Sequence, residues 1–269
     1  MLRIARRSML VGLAAVAASL VVPPGDALAQ SGMDIMKKQR DLHRAKDEEE
    51  RQTQKIVNKA GNAKERKVVR YNLSGGDDLN KILIRFLAPR DVENTGLLTW
   101  EAKDGDDTQW LYLPASGKPK RIAAGGKKNR FMGTDFTFED LRPENLAANK
   151  YNVAGSEAVD GQDCWVIEAT PSSDKYATDS GYSKRKLWVR KDNHYTVKKE
   201  YFDKNNQLLK VETHRKLVNV KGSVWRADEI EMHDVQGGTK TITLVEKRTL
   251  EKGLKDSAFT EAELTRGGS

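Results

Sequence analysis

Lys81-Ile82-Leu83-Ile84-Arg85-Phe86-Leu87, followed by Ala88-Pro89-Arg90-Asp91, is the stretch on which the fold turns. Alternate side chains of an extended chain point to opposite faces. Ile82, Ile84 and Phe86 therefore share a wholly apolar face, while Lys81, Leu83, Arg85 and Leu87 form a mixed one. A short run rich in β-branched and aromatic residues, closed by a proline-containing turn cluster, reads as a strand. The same grammar repeats outward from it. Lys67–Leu73 runs into Ser74-Gly75-Gly76-Asp77, and Thr108–Leu113 ends at Pro114 and Gly117. Val159-Asp160-Gly161-Gln162 leads into Cys164–Ala169, and Lys191-Asp192-Asn193 into Tyr195–Phe202. Asp203-Lys204-Asn205-Asn206 leads into Leu208–His214, and Gln236-Gly237-Gly238 joins Val224–Val235 to Thr239–Thr249. The pattern predicts a mainly β domain, a meander of about ten or eleven antiparallel strands. So many strands in one sheet call for curling or closure.

In Trp110-Leu111-Tyr112-Leu113 both faces are apolar, so this strand meets apolar matter on each side. Taken strand by strand, the faces fit either a filled sandwich core or a curved sheet around a cavity. Only Met33–Arg44 departs from strand grammar. Met36, Gln39 and His43 fall at near-helical spacing, which predicts a short amphipathic helix.

The N-terminus has the layout of a secretion signal: Arg3, Arg6 and Arg7, an apolar run from Met9 to Val22, then Ala27-Leu28-Ala29 as a cleavage site. The run is shorter than the roughly 20 residues of a membrane-spanning helix, and Pro23-Pro24 ends it. Residues 1–29 are thus expected to be removed, leaving 30–269 as one domain. No cysteine follows the cleavage site to carry a lipid anchor. The single cysteine, Cys164, excludes an internal disulfide and reads as a small core residue. The formal net charge of +8 alternates in sign along the chain, without the basic block expected of a nucleic-acid footprint.

Catalytic motifs are missing. His43, His194, His214 and His233 stand far apart with no metal-ligand spacing, and there is no nucleophile elbow, P-loop or dinucleotide fingerprint. Asp104-Gly105-Asp106-Asp107-Thr108 lacks the sixth-position glycine and twelfth-position glutamate of a calcium loop, so it reads as a hairpin tip. The sequence gives no catalytic residue, metal site or cofactor, and the expectation is a protein that is not an enzyme.

Four segments resemble a known family: Phe86–Val92, Thr95–Trp100, Trp110–Pro114 and Phe131–Leu141. Val159–Cys164, Gly181–Lys184, Leu187-Trp188-Val189, Leu209-Lys210 and Phe259-Thr260 follow in the same order. The chain is similar to the outer-membrane lipoprotein-sorting proteins, the LolA-like periplasmic proteins, and within them to an uncharacterised branch. The resemblance implies a half-open antiparallel β-barrel, curled around an apolar cavity and covered by short helices as a lid. It also implies a carrier of lipid or of lipoprotein acyl chains across the periplasm, with no lipid anchor of its own.

On that expectation Ile82, Ile84, Phe86, Trp100, Trp110, Tyr112, Phe131, Met132, Phe136 and Phe138 belong to the cavity or its lid. For Phe131–Leu141 a second reading stays open, a packed loop capped by Thr134 or Asp135 with Phe136 and Phe138 in the core. The family's logic implies a monomer served by an inner-membrane exporter and an outer-membrane acceptor. An alternative role is that of a lipid or lipoprotein sensor, an interaction module regulating an envelope pathway.

Overall fold

The computed structural model describes residues 30–75, 79–103 and 107–266. The predicted leader and its cleavage site lie outside them, as does the tip Asp104–Asp106. A short helix, α1 (Gly32–Leu42), begins at Ser31, whose hydroxyl accepts from the Asp34 amide at 3.1 Å. Then come β1 (Asp47–Val57), β2 (Ala63–Ser74), β3 (Asn80–Ala88), β4 (Gly96–Trp100), β5 (Thr108–Tyr112) and the two-residue β6 (Lys120–Arg121). After a long crossing segment follow β7 (Asn149–Val159), β8 (Gln162–Pro171), α2 (Asp174–Asp179), β9 (Lys184–Arg190) and β10 (Thr196–Phe202). β11 (Leu208–Lys221), β12 (Val224–Asp234), β13 (Thr239–Leu250) and α3 (Glu261–Thr265) complete the chain.

All thirteen strands form one antiparallel sheet in the order β6-β5-β4-β3-β2-β1-β13-β12-β11-β10-β9-β8-β7. Two meanders, β1–β6 and β7–β13, meet in the middle, where Glu48 stands opposite Leu250 and Val57 opposite Lys240. The sheet is not closed: β6 and β7 are its edges, and residues 122–148 cross from one to the other. Thirteen strands replace the ten or eleven expected. β1 hid because its start is Asp47-Glu48-Glu49-Glu50-Arg51, with no apolar alternation to mark a strand. β6 is only Lys120–Arg121, and β7, at the sheet edge, is largely exposed, with Gly155 and polar residues interrupting its few apolar side chains.

The two faces of the sheet are covered differently. Side chains of both meanders meet on an inner face, which carries Glu50, Arg70, Ile84, Glu212 and Ile230 around one cavity. α1 lies against this face at β7–β9, with Ile35 and Met36 packed on Tyr151, Ile167 and Leu187. On the outer face of β2–β5 the C-terminal segment lies across Leu73, Leu83 and Leu98 through Phe259 and Leu264. Trp100 Nε1 donates to the Phe259 carbonyl at 2.8 Å and fixes that segment.

Candidate functional site

Strand alternation delivers Ile82, Ile84 and Phe86 to the inner face, as the sequence pattern requires, where they form an apolar wall with Val68 and Leu97. Phe131 and Phe138 of the crossing segment cover that wall, with Met132 packed at the margin. A tight turn presents them. Met132 and Gly133 both take positive φ, 49° and 76°, and the Thr134 amide donates to the Phe131 carbonyl at 2.9 Å. Two consecutive left-handed residues are the mark of a hairpin turn, and they are the reason for glycine at position 133. The Arg130–Thr137 bridge closes this small hairpin.

Phe136 faces the other way. It packs on Tyr182, Tyr201 and Met232, so one hairpin grips the inner faces of both meanders. Polar contacts hold it there: the Asp135 carboxylate accepts from Thr241 at 2.8 Å, and Gln109 Nε2 donates to the Phe138 carbonyl at 3.0 Å. Lys210 pairs with Asp140, which also accepts from the Tyr182 hydroxyl at 2.7 Å.

Trp100, Trp110 and Tyr112 are not with them. Register places these three on the outer face, beside Phe259 and Leu254 of the C-terminal segment, with Trp100 and Trp110 edge to face at 4.9 Å. The ten residues singled out from the sequence therefore divide. Seven are on or against the inner face, and three are beneath the C-terminal cover.

Sequence reading did not anticipate the polar part of the interior. Next to the apolar wall lies a cavity of about 260 Å³, lined by Glu50, Arg70, Glu212, His214 and Arg226 among others. A second space of about 260 Å³, bordered by α1 and the end of the crossing segment, adjoins it and shares Tyr195, His214 and Arg226. The acids of β1 supply the negative charge. Arg248 Nε lies 3.0 Å from Glu48 and 2.9 Å from Glu50, and Arg226 reaches Glu48 at 2.9 Å. Burial opposes ionisation of Glu50, but the Arg70 and Arg248 guanidinium groups outweigh it and hold the carboxyl below its usual range. Glu212 is treated alike: burial is offset by Lys199 at 3.2 Å and by the hydrogen bond from His214 at 2.5 Å. The sequence carried no signal for it, since the stretch 47–55 is polar on both faces of β1 and only the fold decides that Glu48, Glu50, Gln52 and Gln54 turn inward.

Among the described residues no group of three or more His, Cys, Asp or Glu side chains is arranged to hold a metal. Nor is any described helix long and apolar enough to cross a membrane.

A family described as "Uncharacterized protein" matches residues 78–266. The structure is similar to an outer membrane lipoprotein-sorting protein domain from Vibrio parahaemolyticus. The two are 30% identical with a TM-score of 0.83, over 87% of this chain and 98% of that one. A DUF1329 family protein from Desulfovibrio piger is 27% identical with a TM-score of 0.80, over 87% and 97% of the two chains. A LolA superfamily protein from Nitrosomonas europaea shares the fold at 17% identity and a TM-score of 0.68, over 87% and 99%. No curated protein matches the sequence. A family match across residues 78–266 and a 30% identical relative spanned almost end to end establish that the chain belongs to the outer-membrane lipoprotein-sorting protein family.

Proposed function

We propose that this protein is a periplasmic carrier that takes up acyl chains of lipid or lipoprotein between its inner face and the crossing segment, and shuttles them toward the outer membrane. One observation carries the reading. The apolar wall Ile82-Ile84-Phe86 is covered not by a strand or a long helix but by Phe131 and Phe138 of a loop hairpin, which occupy the place an acyl chain would take. Exchange of one for the other is energetically reasonable. Each buried CH₂ contributes roughly 0.8 kcal/mol, so a 16-carbon chain supplies ~12 kcal/mol, whereas re-exposing two phenylalanines costs about 3–6 kcal/mol. Ordering of the chain consumes part of that difference. The adjoining polar cavity suits the ester or peptide groups of the cargo, which need hydrogen-bond partners once out of water. An inner-membrane exporter as donor and an outer-membrane acceptor complete the proposal.

The test uses the full chain. Organic extraction of purified protein is expected to release bound lipid, and a fluorescent triacylated lipopeptide is expected to bind. Arg70 stands opposite Ile84 in register. The carboxylate of Ile84→Glu therefore has a cation beside it, and the variant folds while binding the lipopeptide at least tenfold more weakly. Absence of lipid together with no lipopeptide binding overturns the reading.

A further inference from the structure

The outer face holds a second pocket, on the side of β3 opposite the apolar wall. It measures about 350 Å³ and lies between β1–β3 and the C-terminal segment, with walls of Val69, Leu83, Leu87, Leu254 and Phe259. A space of that size, with apolar walls and a few polar groups among them, is typical of small-molecule sites. Arg85 also lines it and is only 4% exposed. Its Nη2 donates to the Glu263 carbonyl at 2.8 Å and the Leu264 carbonyl at 3.5 Å. Its Nη1 is buried and has no partner among the described residues.

A buried cationic donor without an acceptor is unfavourable, and burial pushes the Arg85 guanidinium below its ordinary pKa. Tyr71 and Glu263 of the lining offset that burial only in part, and neither hydrogen-bonds Nη1. The acidic side chain there, Glu263, pairs with Arg266 at 2.5 Å, and the cation at the rim, Arg51, is 3.3 Å from Glu49. An arginine in the pocket wall whose Nη1 lies buried without an acceptor, beside apolar side chains, matches a ligand with one carboxylate and one short hydrocarbon chain.

We propose that this outer pocket binds a monoanionic amphiphile, its carboxylate on Arg85 Nη1 and its single chain along Leu83, Leu87, Leu254 and Phe259. The site is independent of the carrier reading, since the inner wall is built from the other side of β3.

Calorimetric titration of the full chain with sodium decanoate and with neutral decanol tests it. With the inner wall disabled by Ile84→Glu, decanoate is expected to bind saturably at one site, with decanol at least tenfold weaker. Arg85→Met is expected to weaken decanoate at least tenfold and leave decanol unchanged. Leu87→Trp, which fills the apolar part and keeps the guanidinium, is expected to weaken both. Ile84→Glu, on the inner face, is expected to leave the Arg85-dependent component of decanoate binding as it is. The proposal is overturned if the parent shows no saturable decanoate binding, if Arg85→Met binds decanoate as the parent does, or if Ile84→Glu abolishes it. Should Arg85→Met fail to fold, Leu87→Trp decides: unchanged decanoate affinity in that variant overturns the site. Failure of lipopeptide binding would sink the carrier reading and leave these results standing.

Discussion

Phe131 of the crossing segment stacks on Phe86 of β3 with ring centroids 5.5 Å apart and 29° between the planes, and Phe138 meets Phe131 edge-on at 5.5 Å. The contact is fixed packing with both rings buried, so Phe131→Ala is expected to lower stability by about 3–5 kcal/mol. The same substitution vacates the apolar wall, and lipopeptide affinity is expected to rise at least threefold. Urea unfolding and probe titration measure the two effects. A loss below about 1 kcal/mol would mean that the hairpin is not docked as described.

His43 ties α1 to two hairpins. Its Nδ1 accepts from the Trp225 amide at 3.2 Å and its Nε2 donates to the Asn193 carbonyl at 3.0 Å, roles that only the neutral ring can fill together. Burial and then the Arg226 guanidinium lower its pKa from the ordinary 6.5. The unfolded chain takes up this proton before the folded one does. Its contribution is therefore complete above about pH 6.5 and is lost as the pH falls from there toward the lower folded value. Melting temperature should drop between pH 7.5 and 5.5. His43→Gln should flatten that drop, though not abolish it, because burial also lowers the pKa of His194.

Glu212 governs a more acidic window. Burial raises its pKa, but Lys199, His214 and Tyr201 together bring it well below the ordinary 4.5. A depressed carboxyl stabilises the fold fully above the unfolded pKa and progressively less as the pH falls through the folded one, so the loss begins below about pH 4.5. Glu212→Gln should cost about 3–5 kcal/mol at pH 7, because it leaves Lys199 without its buried partner. It should also reduce the acid-dependent part of the unfolding free energy. Denaturation curves of both proteins at pH 3.5, 5 and 7 measure this, and parallel pH profiles would contradict it.

Gly32 sits where α1 touches β7. A Cβ there would lie 2.5 Å from the Tyr151 carbonyl oxygen, a backbone atom that cannot step aside. Gly32→Ala is expected to destabilise by about 1–3 kcal/mol and to loosen α1 from the sheet. Faster amide exchange along α1 would show the loosening. An unchanged melting temperature would be the contrary result.

The strands that could be read from the sequence were those whose burial is apolar. β3, β8, β12 and β13 carry alternating β-branched and aromatic residues between turn residues, and α1 shows its spacing, so these emerged close to their observed bounds. β1 did not, because its inner face is buried against charge. Glu48 and Glu50 meet Arg226 and Arg248 from strands distant in sequence, and Glu50 also meets Arg70 of the next strand. Pairing of that kind leaves no local period. The wall Ile82-Ile84-Phe86 was legible for the same reason as its strand. Which face Trp100, Trp110 and Tyr112 occupy was not, since a strand apolar on both faces does not say which of two covers it receives. Arg85 belongs to this class too, a charge on a mixed face whose burial depends on the distant C-terminal segment.

The pairing of β1 with β13 sets the order of assembly. Each meander can build itself from neighbouring hairpins. The seam that unites them, however, joins Glu48 to Leu250 and Val57 to Lys240, and must wait until nearly the whole chain has been made. Contacts so remote in sequence make folding slow. Until they form, the protein is two half-sheets that have not yet enclosed an interior. Late closure of this seam leaves the inner faces of both half-sheets open to solvent until the last stage of folding.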